Sequence, residues 1–254
     1  MLECKNVTYS VRNEKILKDV TLKAENGKIT VLLGNNGSGK TTLLRAIGAY
    51  HECRAMIAGE IFVDSISATE LSVREYSSHV ALLPQTLPTP PMTVRELVTL
   101  ARREARSPFS RLSAEDLSIV SAAIDRLGLA GLADKPLSRL SGGERQSAYL
   151  AMLIAKGAPN VMLDEPTASL DSKHRASLFN LLYEMREEGR AVLTVLHDLT
   201  DACEIADRII VLECGELVFD GTPREFAESG IPERVFGLSA HTLERDAKIK
   251  IVYL

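Results

Sequence analysis

Residues 34 to 42 read Gly34, Asn35, Asn36, Gly37, Ser38, Gly39, Lys40, Thr41 and Thr42, which satisfies the spacing Gly-x4-Gly-Lys-Ser/Thr. Glycines in such a run let the backbone curl until successive N–H groups point inward at phosphate oxygens. Lys40 then reaches the outer phosphates, and the Thr41 hydroxyl reaches a magnesium ion. Far downstream, the apolar run Val161 to Leu163 ends in two acids, Asp164 and Glu165. Asp164 suits a magnesium shell, directly or through water. Glu165 suits a general base, because hydrolysis needs a group that orients water and accepts its proton opposite the leaving diphosphate. The competing assignment for such an acidic pair is a helix cap or a solvated turn, and Pro166 directly after it is compatible with that. Leu140, Ser141, Gly142, Gly143 and Glu144 form a second glycine-rich segment, either a further phosphate clamp or a helix N-cap with its turn. Two phosphate clamps on one chain imply a nucleotide hydrolase that works as a pair.

These side chains need elements to aim them. The apolar strand Ile29 to Leu33 precedes the first loop and the helical pattern Thr41 to Ile47 follows it, so the positive end of a helix faces the bound anion. The two acids sit at the carboxyl end of their strand, where open α/β sheets bind ligands. A strand-rich part runs to about residue 84, a helical insert follows, and strands alternate with helices from about residue 158. Within the insert, Val94, Leu97, Val98 and Leu100 recur at helical spacing in Thr93 to Arg103, and Leu117 to Leu127 does likewise. Arg106 to Ser110 reads as the turn between them. Leu137 to Lys156 carries the second glycine-rich segment and the helix behind it, and Arg175 to Glu187 precedes the strand Ala191 to Leu196.

Composition excludes several classes. With 254 residues, 45% of them hydrophobic, the chain can bury a sizeable core. No run approaches the ~20 apolar residues of a membrane-spanning helix, and Met1 to Lys5 is no secretory signal, so a cytoplasmic location is expected. The net charge of −4 without a basic block gives nucleic acid no electrostatic support. Cys4, Cys53, Cys203 and Cys214 are scattered without metal-ligand spacing and read as reduced packing thiols.

Taken in order, these segments, together with Tyr9, Gln85, the turn Ser169 to Asp171 and His197, resemble the nucleotide-binding subunit of an ATP-binding cassette (ABC) transporter over essentially the whole chain. The resemblance implies an α/β fold: a P-loop NTPase (RecA-like) core with an antiparallel β subdomain and an inserted α-helical subdomain. The whole of 1–254 would be one such domain, with 1–84 and 158–254 forming the core and 85–157 the insert. It assigns Tyr9 to stacking on adenine, the alternative being a strand aromatic packed in the core. Gln85, after the strand Val80 to Leu83, would face the metal and the attacking water, and His197 would contact the γ-phosphate. Ser141, Gly142, Gly143 and Glu144 would complete the partner's ATP site rather than their own, and Asp171 would lie across the interface and communicate between sites. ATP and Mg2+ are the implied cofactors, with Thr41, Gln85 and Asp164 around the metal.

A cassette without membrane spans moves nothing alone, so the resemblance implies a homodimer on the cytoplasmic face of the membrane, peripheral to integral permease subunits and served indirectly by a substrate-binding protein. Permease docking is expected near Leu87, Pro88 and Thr89, although the proline-rich stretch Pro84 to Pro91 also reads as a stiff connector. The wording of Val80 to Gln85, Leu140 to Met152, Val195 to Leu199 and Val235 to Gly237 is similar to the subfamily serving iron–siderophore, haem and cobalamin uptake. The segments His51 to Ser65 and Lys248 to Leu254 depart from that pattern. Another importer, an exporter motor, or a soluble ABC protein outside transport are the alternatives.

Overall fold

The computed structural model describes all residues except 13, 105–110, 169, 239, 246–247 and 254. The expected turn at Arg106 to Ser110 and Ser169 therefore lie outside the described residues. The chain opens with three strands, β1 (Leu2–Val11), β2 (Glu14–Ala24) and β3 (Lys28–Leu33), and then enters helix α1 (Lys40–Gly48). A short helix α2 (Tyr50–Cys53) leads to β4 (Ile57–Val63) and β5 (Ile66–Ser67), after which α3 (Val73–His79) feeds β6 (Val80–Leu83). Three helices follow: α4 (Val94–Glu104), α5 (Ala114–Arg126) and α6 (Gly142–Lys156). The remainder alternates as β7 (Asn160–Asp164), α7 (Ser172–Glu187), β8 (Ala191–Val195), α8 (Leu199–Ile205), β9 (Arg208–Glu213) and β10 (Glu216–Gly221). The short helix α9 (Pro223–Glu228) and the paired strands β11 (Ala240–Arg245) and β12 (Lys248–Tyr253) close the chain.

Two sheets organise these elements. One is antiparallel, in the order β2-β1-β4-β5; the other has the order β10-β9-β3-β8-β7-β6, in which β9 through β6 run parallel and β10 is an antiparallel edge. The strands β3, β7, β8 and β9 are nearly continuous apolar runs because both faces of a parallel sheet are covered. Alternation divides each strand between two cores. Ile29, Val31, Leu33, Val161, Leu163, Ile209 and Val211 face the helices α4 to α7, whereas Leu32, Met162, Leu193, Ile210 and Leu212 face α1 and the antiparallel sheet.

The helices start where the sequence supplies caps. Ser72 with Glu75, Ser113 with Asp116, Ser141 with Glu144 and Thr222 with Glu225 each make the reciprocal side-chain and backbone bonds that satisfy a free helix N-terminus. The three helices of residues 94–156 are pinned by Arg102, whose guanidinium meets the buried Asp116 carboxylate of α5 at 3.1 Å and the Ala155 carbonyl of α6 at 3.1 Å. Among the described residues no helix is long and apolar enough to cross a membrane.

Candidate functional site

Parallel strands bring distant residues to one edge. Because β3, β8, β7 and β6 are neighbours in that order and run the same way, their carboxyl ends deliver Gly34, His197, Asp164 with Glu165, and Gln85 side by side. Adjacent strands lie about 4.8 Å apart, so the row spans about 14 Å over its three gaps.

The phosphate loop crosses from β3 to α1 under tight constraint. Gly34 has φ +148°, and a Cβ there would lie 2.2 Å from the Leu212 carbonyl oxygen, so no side chain fits. Gly39 caps α1 in a left-handed conformation, and α1 points its free N–H groups at a cavity of about 240 Å³. Asn36, Gly37, Gly39, Lys40, Thr41, Thr42, Glu165 and Ile16 line that cavity. The Asn35 amide instead turns away and donates to the Val235 carbonyl at 2.8 Å, and Ser38 is buried behind the loop. Lys40 Nζ donates to the Gly34 and Asn35 carbonyls at 2.8 and 3.0 Å, which folds the loop around its cation. Burial pushes the Lys40 amine below its usual range, while Glu165 and Asp164 draw it back.

Glu165 stands at the centre of the row. Its Oε2 accepts from Gln85 Nε2 at 2.5 Å, and its Oε1 lies 2.6 Å from His197 Nε2. Gln85 and His197 are exposed, whereas the Glu165 side chain is only 13% exposed. Glu165 itself holds φ +51°, an unusual backbone for a residue with a side chain, and Ala168 N–H closes the following turn on the Glu165 carbonyl at 3.3 Å. The helix-cap reading of this acid does not apply, since both carboxylate oxygens are taken by Gln85 and His197.

Asp164 sits one residue back and is buried, with Oδ1 lacking any hydrogen-bond partner among protein groups. Burial raises its carboxyl above the usual range, and a hydrogen bond from Thr41 opposes the shift. An orphaned carboxylate oxygen beside a threonine hydroxyl is a donor set that fits a hard, oxygen-seeking cation. Three-residue clusters of metal-binding side chains are absent among the described residues, so such an ion would take its remaining oxygens from water and phosphate.

The structure corrects Tyr9. Its side chain is 6% exposed, packs in the core beneath the antiparallel sheet, and its hydroxyl rests on Met56 Sδ at 3.3 Å and Cys53 Sγ at 3.8 Å. A ring so enclosed offers no face to a purine. Alternation along β1 put it there, since Val7 and Tyr9 point inward together while Val11 emerges at the exposed strand end. Half-buried Ile16 supplies the apolar wall of the cavity instead, and its place became visible only when β2 passed beside the loop.

Ser141 N-caps α6, with Glu144 returning its carboxylate to the Ser141 N–H at 2.7 Å. Ser141 and Gly142 remain exposed at the helix tip, and among the described residues lining the phosphate cavity none comes from this segment. Gly143 packs against the His174 ring, where a Cβ would stand 3.4 Å from it, and His174 Nδ1 lies 2.8 Å from Asp171 Oδ1. Asp171 is exposed and N-caps α7, so the segment and this turn touch through His174. Leu87 packs against the core and the Pro88 carbonyl accepts from Tyr149 Oη at 2.7 Å, while Pro88 and Thr89 are exposed. A cavity of about 260 Å³ elsewhere is walled by Tyr50, His51, Val73, Tyr76 and Lys156, which the sequence did not single out.

Comparison with known proteins adds an independent line. The ABC transporter family model matches residues 17–168. The chain is similar to the iron(3+)-hydroxamate import ATP-binding protein of Bacillus subtilis strain 168, with 35% identity over 227 residues, 89% of this chain and 83% of the relative. It is 34% identical over 239 residues to the ferric enterobactin transport ATP-binding protein of Escherichia coli K12, covering 93% and 87% of the two chains. Among solved structures, the dimeric post-hydrolysis state of the ATP-binding cassette MJ0796 with ADP and phosphate superposes with a TM-score of 0.76 at 29% identity, covering 88% of this chain and 99% of that one.

Proposed function

This chain belongs to the ABC transporter family and is an ATP-binding ABC ATPase, and we propose that it is the motor subunit of a membrane importer for iron–siderophore, haem or related metal chelates. The observation that carries the motor reading is the clasp of Glu165 between Gln85 and His197 at the rim of a phosphate cavity. The cargo reading rests on similarity to the two iron-chelate import ATP-binding proteins.

The residues divide the work. The loop Gly34 to Thr42 and the amino end of α1 hold the phosphates through backbone N–H groups. Lys40 exchanges its two carbonyl acceptors for phosphate oxygens, which relieves the cost of its burial. Asp164 and Thr41 would hold Mg2+, with Gln85 at its edge; when bound, the ion supplies neutralisation of charge developing on the phosphates. Glu165 accepts the proton of the attacking water, Gln85 orients that water, and His197 directs its Nε2 proton to the γ-phosphate once it releases the carboxylate.

Pairing completes the site. Ser141, Gly142 and Gly143 at the tip of α6, with Glu144 bracing the cap, meet the ATP of a second copy, and Asp171 faces the same junction. The homodimer docks peripherally on permease subunits from the cytoplasmic side, with Leu87, Pro88 and Thr89 as the docking segment. A substrate-binding protein delivers the chelate on the far side. Affinity purification from detergent-solubilised membranes of the native cell is expected to recover a multi-span permease of metal-chelate importer type. Recovery of an exporter-type membrane protein would overturn the cargo reading, and recovery of soluble partners alone would overturn the transport reading.

A further inference from the structure

One buried amide lies outside the roles described so far. On α6, the buried residues Gln146, Tyr149, Leu150 and Leu153 recur at helical spacing and form one stripe, in which an apolar side chain would be expected at the first position. Gln146 occupies it instead, 8% exposed, and its Nε2 donates to the Pro166 carbonyl. A carbonyl accepts only, so the nitrogen end of the amide must face it. A buried amide is tolerated where it is hydrogen-bonded, and this one is bonded to the residue directly after Glu165.

The consequence is positional. Glu165 holds its carboxylate between Gln85 and His197 from a left-handed backbone, φ +51°, that has no intrinsic preference for that shape. The turn is closed on one side by the Ala168 N–H and gripped on the other by Gln146. Gln146 lies on the same helix whose tip carries Ser141 and Gly143, little more than one turn away. We infer that Gln146 is a positioning residue: it sets the Glu165 turn for water activation and ties that turn to the seating of α6 on the partner's nucleotide. The inference rests on the reading of Glu165 as base and of α6 as the partner-facing helix.

The test is a mutant cycle on the purified chain. Gln146→Met keeps the volume and fits the apolar stripe, so folding survives while the N–H donor is lost. The expected result is a kcat at least tenfold lower, an ATP KM within twofold of the original, and a Hill coefficient reduced toward one. In a Glu165→Gln background the same change should cost nothing more, because the turn no longer carries a base. Gln146→Arg, which restores an N–H donor, should recover most of the turnover. Unimpaired turnover in Gln146→Met beside a slow Glu165→Gln overturns this inference alone, as does an equal proportional loss in both backgrounds. Full turnover in Glu165→Gln by itself overturns the base reading first, and this inference with it.

Discussion

At Tyr9, the identity of a side chain and its job part company. A tyrosine near the phosphate loop is a good candidate for a purine platform, yet β1 turns it inward and its hydroxyl ends on two sulfur atoms. Stacking on an aromatic ring contributes about 1–3 kcal/mol per base, and the aliphatic Ile16 that walls the cavity instead distinguishes adenine from guanine only weakly. ATP and GTP are therefore expected to be hydrolysed with kcat/KM values within about tenfold of each other, a difference of about 1.4 kcal/mol. Tyr9→Leu should leave the nucleotide KM within twofold, since the ring it removes packs in the core and not against the base. A steady-state comparison of the two nucleotides on both proteins checks this, and a strong Tyr9→Leu effect on KM would return the ring to the site.

Helix α6 is secured at two places. Its body is secured by the buried stripe against α4 and the sheet, and its tip by the reciprocal bonds of Ser141 and Glu144. Losing an N-cap costs about 1 kcal/mol, small beside the packing of that stripe. Ser141→Arg is thus expected to fold and to bind nucleotide in its own cavity, which contains none of the α6 tip residues among its described lining. Turnover should nevertheless fall at least a hundredfold, because the arginine would occupy the space of the partner's phosphates. Equilibrium binding of a fluorescent ATP analogue alongside phosphate release separates the two effects. Normal turnover would sink the shared-site reading.

Over the whole molecule, the helices of residues 94–156 share one buried core with the larger sheet and α7, and a cleft opens only on its outer side. A cleft of about 480 Å³ separates α5 and α6 from α7, and it is bridged by Arg126, which meets Glu184 at 2.7 Å and Glu188 at 2.9 Å. Exposed ion pairs of this kind contribute little, so the walls of this cleft are held by the core beneath it rather than by Arg126. Moving an open–closed equilibrium from 1:99 to 99:1 needs about 5.5 kcal/mol of differential binding, which two nucleotides held from both sides can supply. Glu165→Gln should keep those contacts while blocking cleavage. Size-exclusion chromatography with multi-angle scattering is expected to show it monomeric without nucleotide and dimeric with Mg2+ and ATP, with turnover lowered at least a hundredfold. A variant that stays monomeric at saturating ATP would overturn closure as the nucleotide-driven step.

Local chemistry made most of the site legible in the sequence. The glycine spacing of Gly34 to Lys40, set between an apolar strand and a helical pattern, suits a loop that curls around phosphate, and the apolar runs ending at Asp164, Gln85 and His197 announced strand ends, because short-range sterics and patterning act within a few residues. The cap at Ser141 was readable for the same reason. What the tertiary structure decided was every question of facing and proximity. It fixed that Tyr9 points inward, that Ile16 walls the cavity, that Glu165 is clasped from both sides, and that Gln146 reaches Pro166. Those relations depend on strand order, on register and on which face of β1 and α6 meets the core. They are set by burial summed over many residues far apart in the chain, and no single segment encodes them.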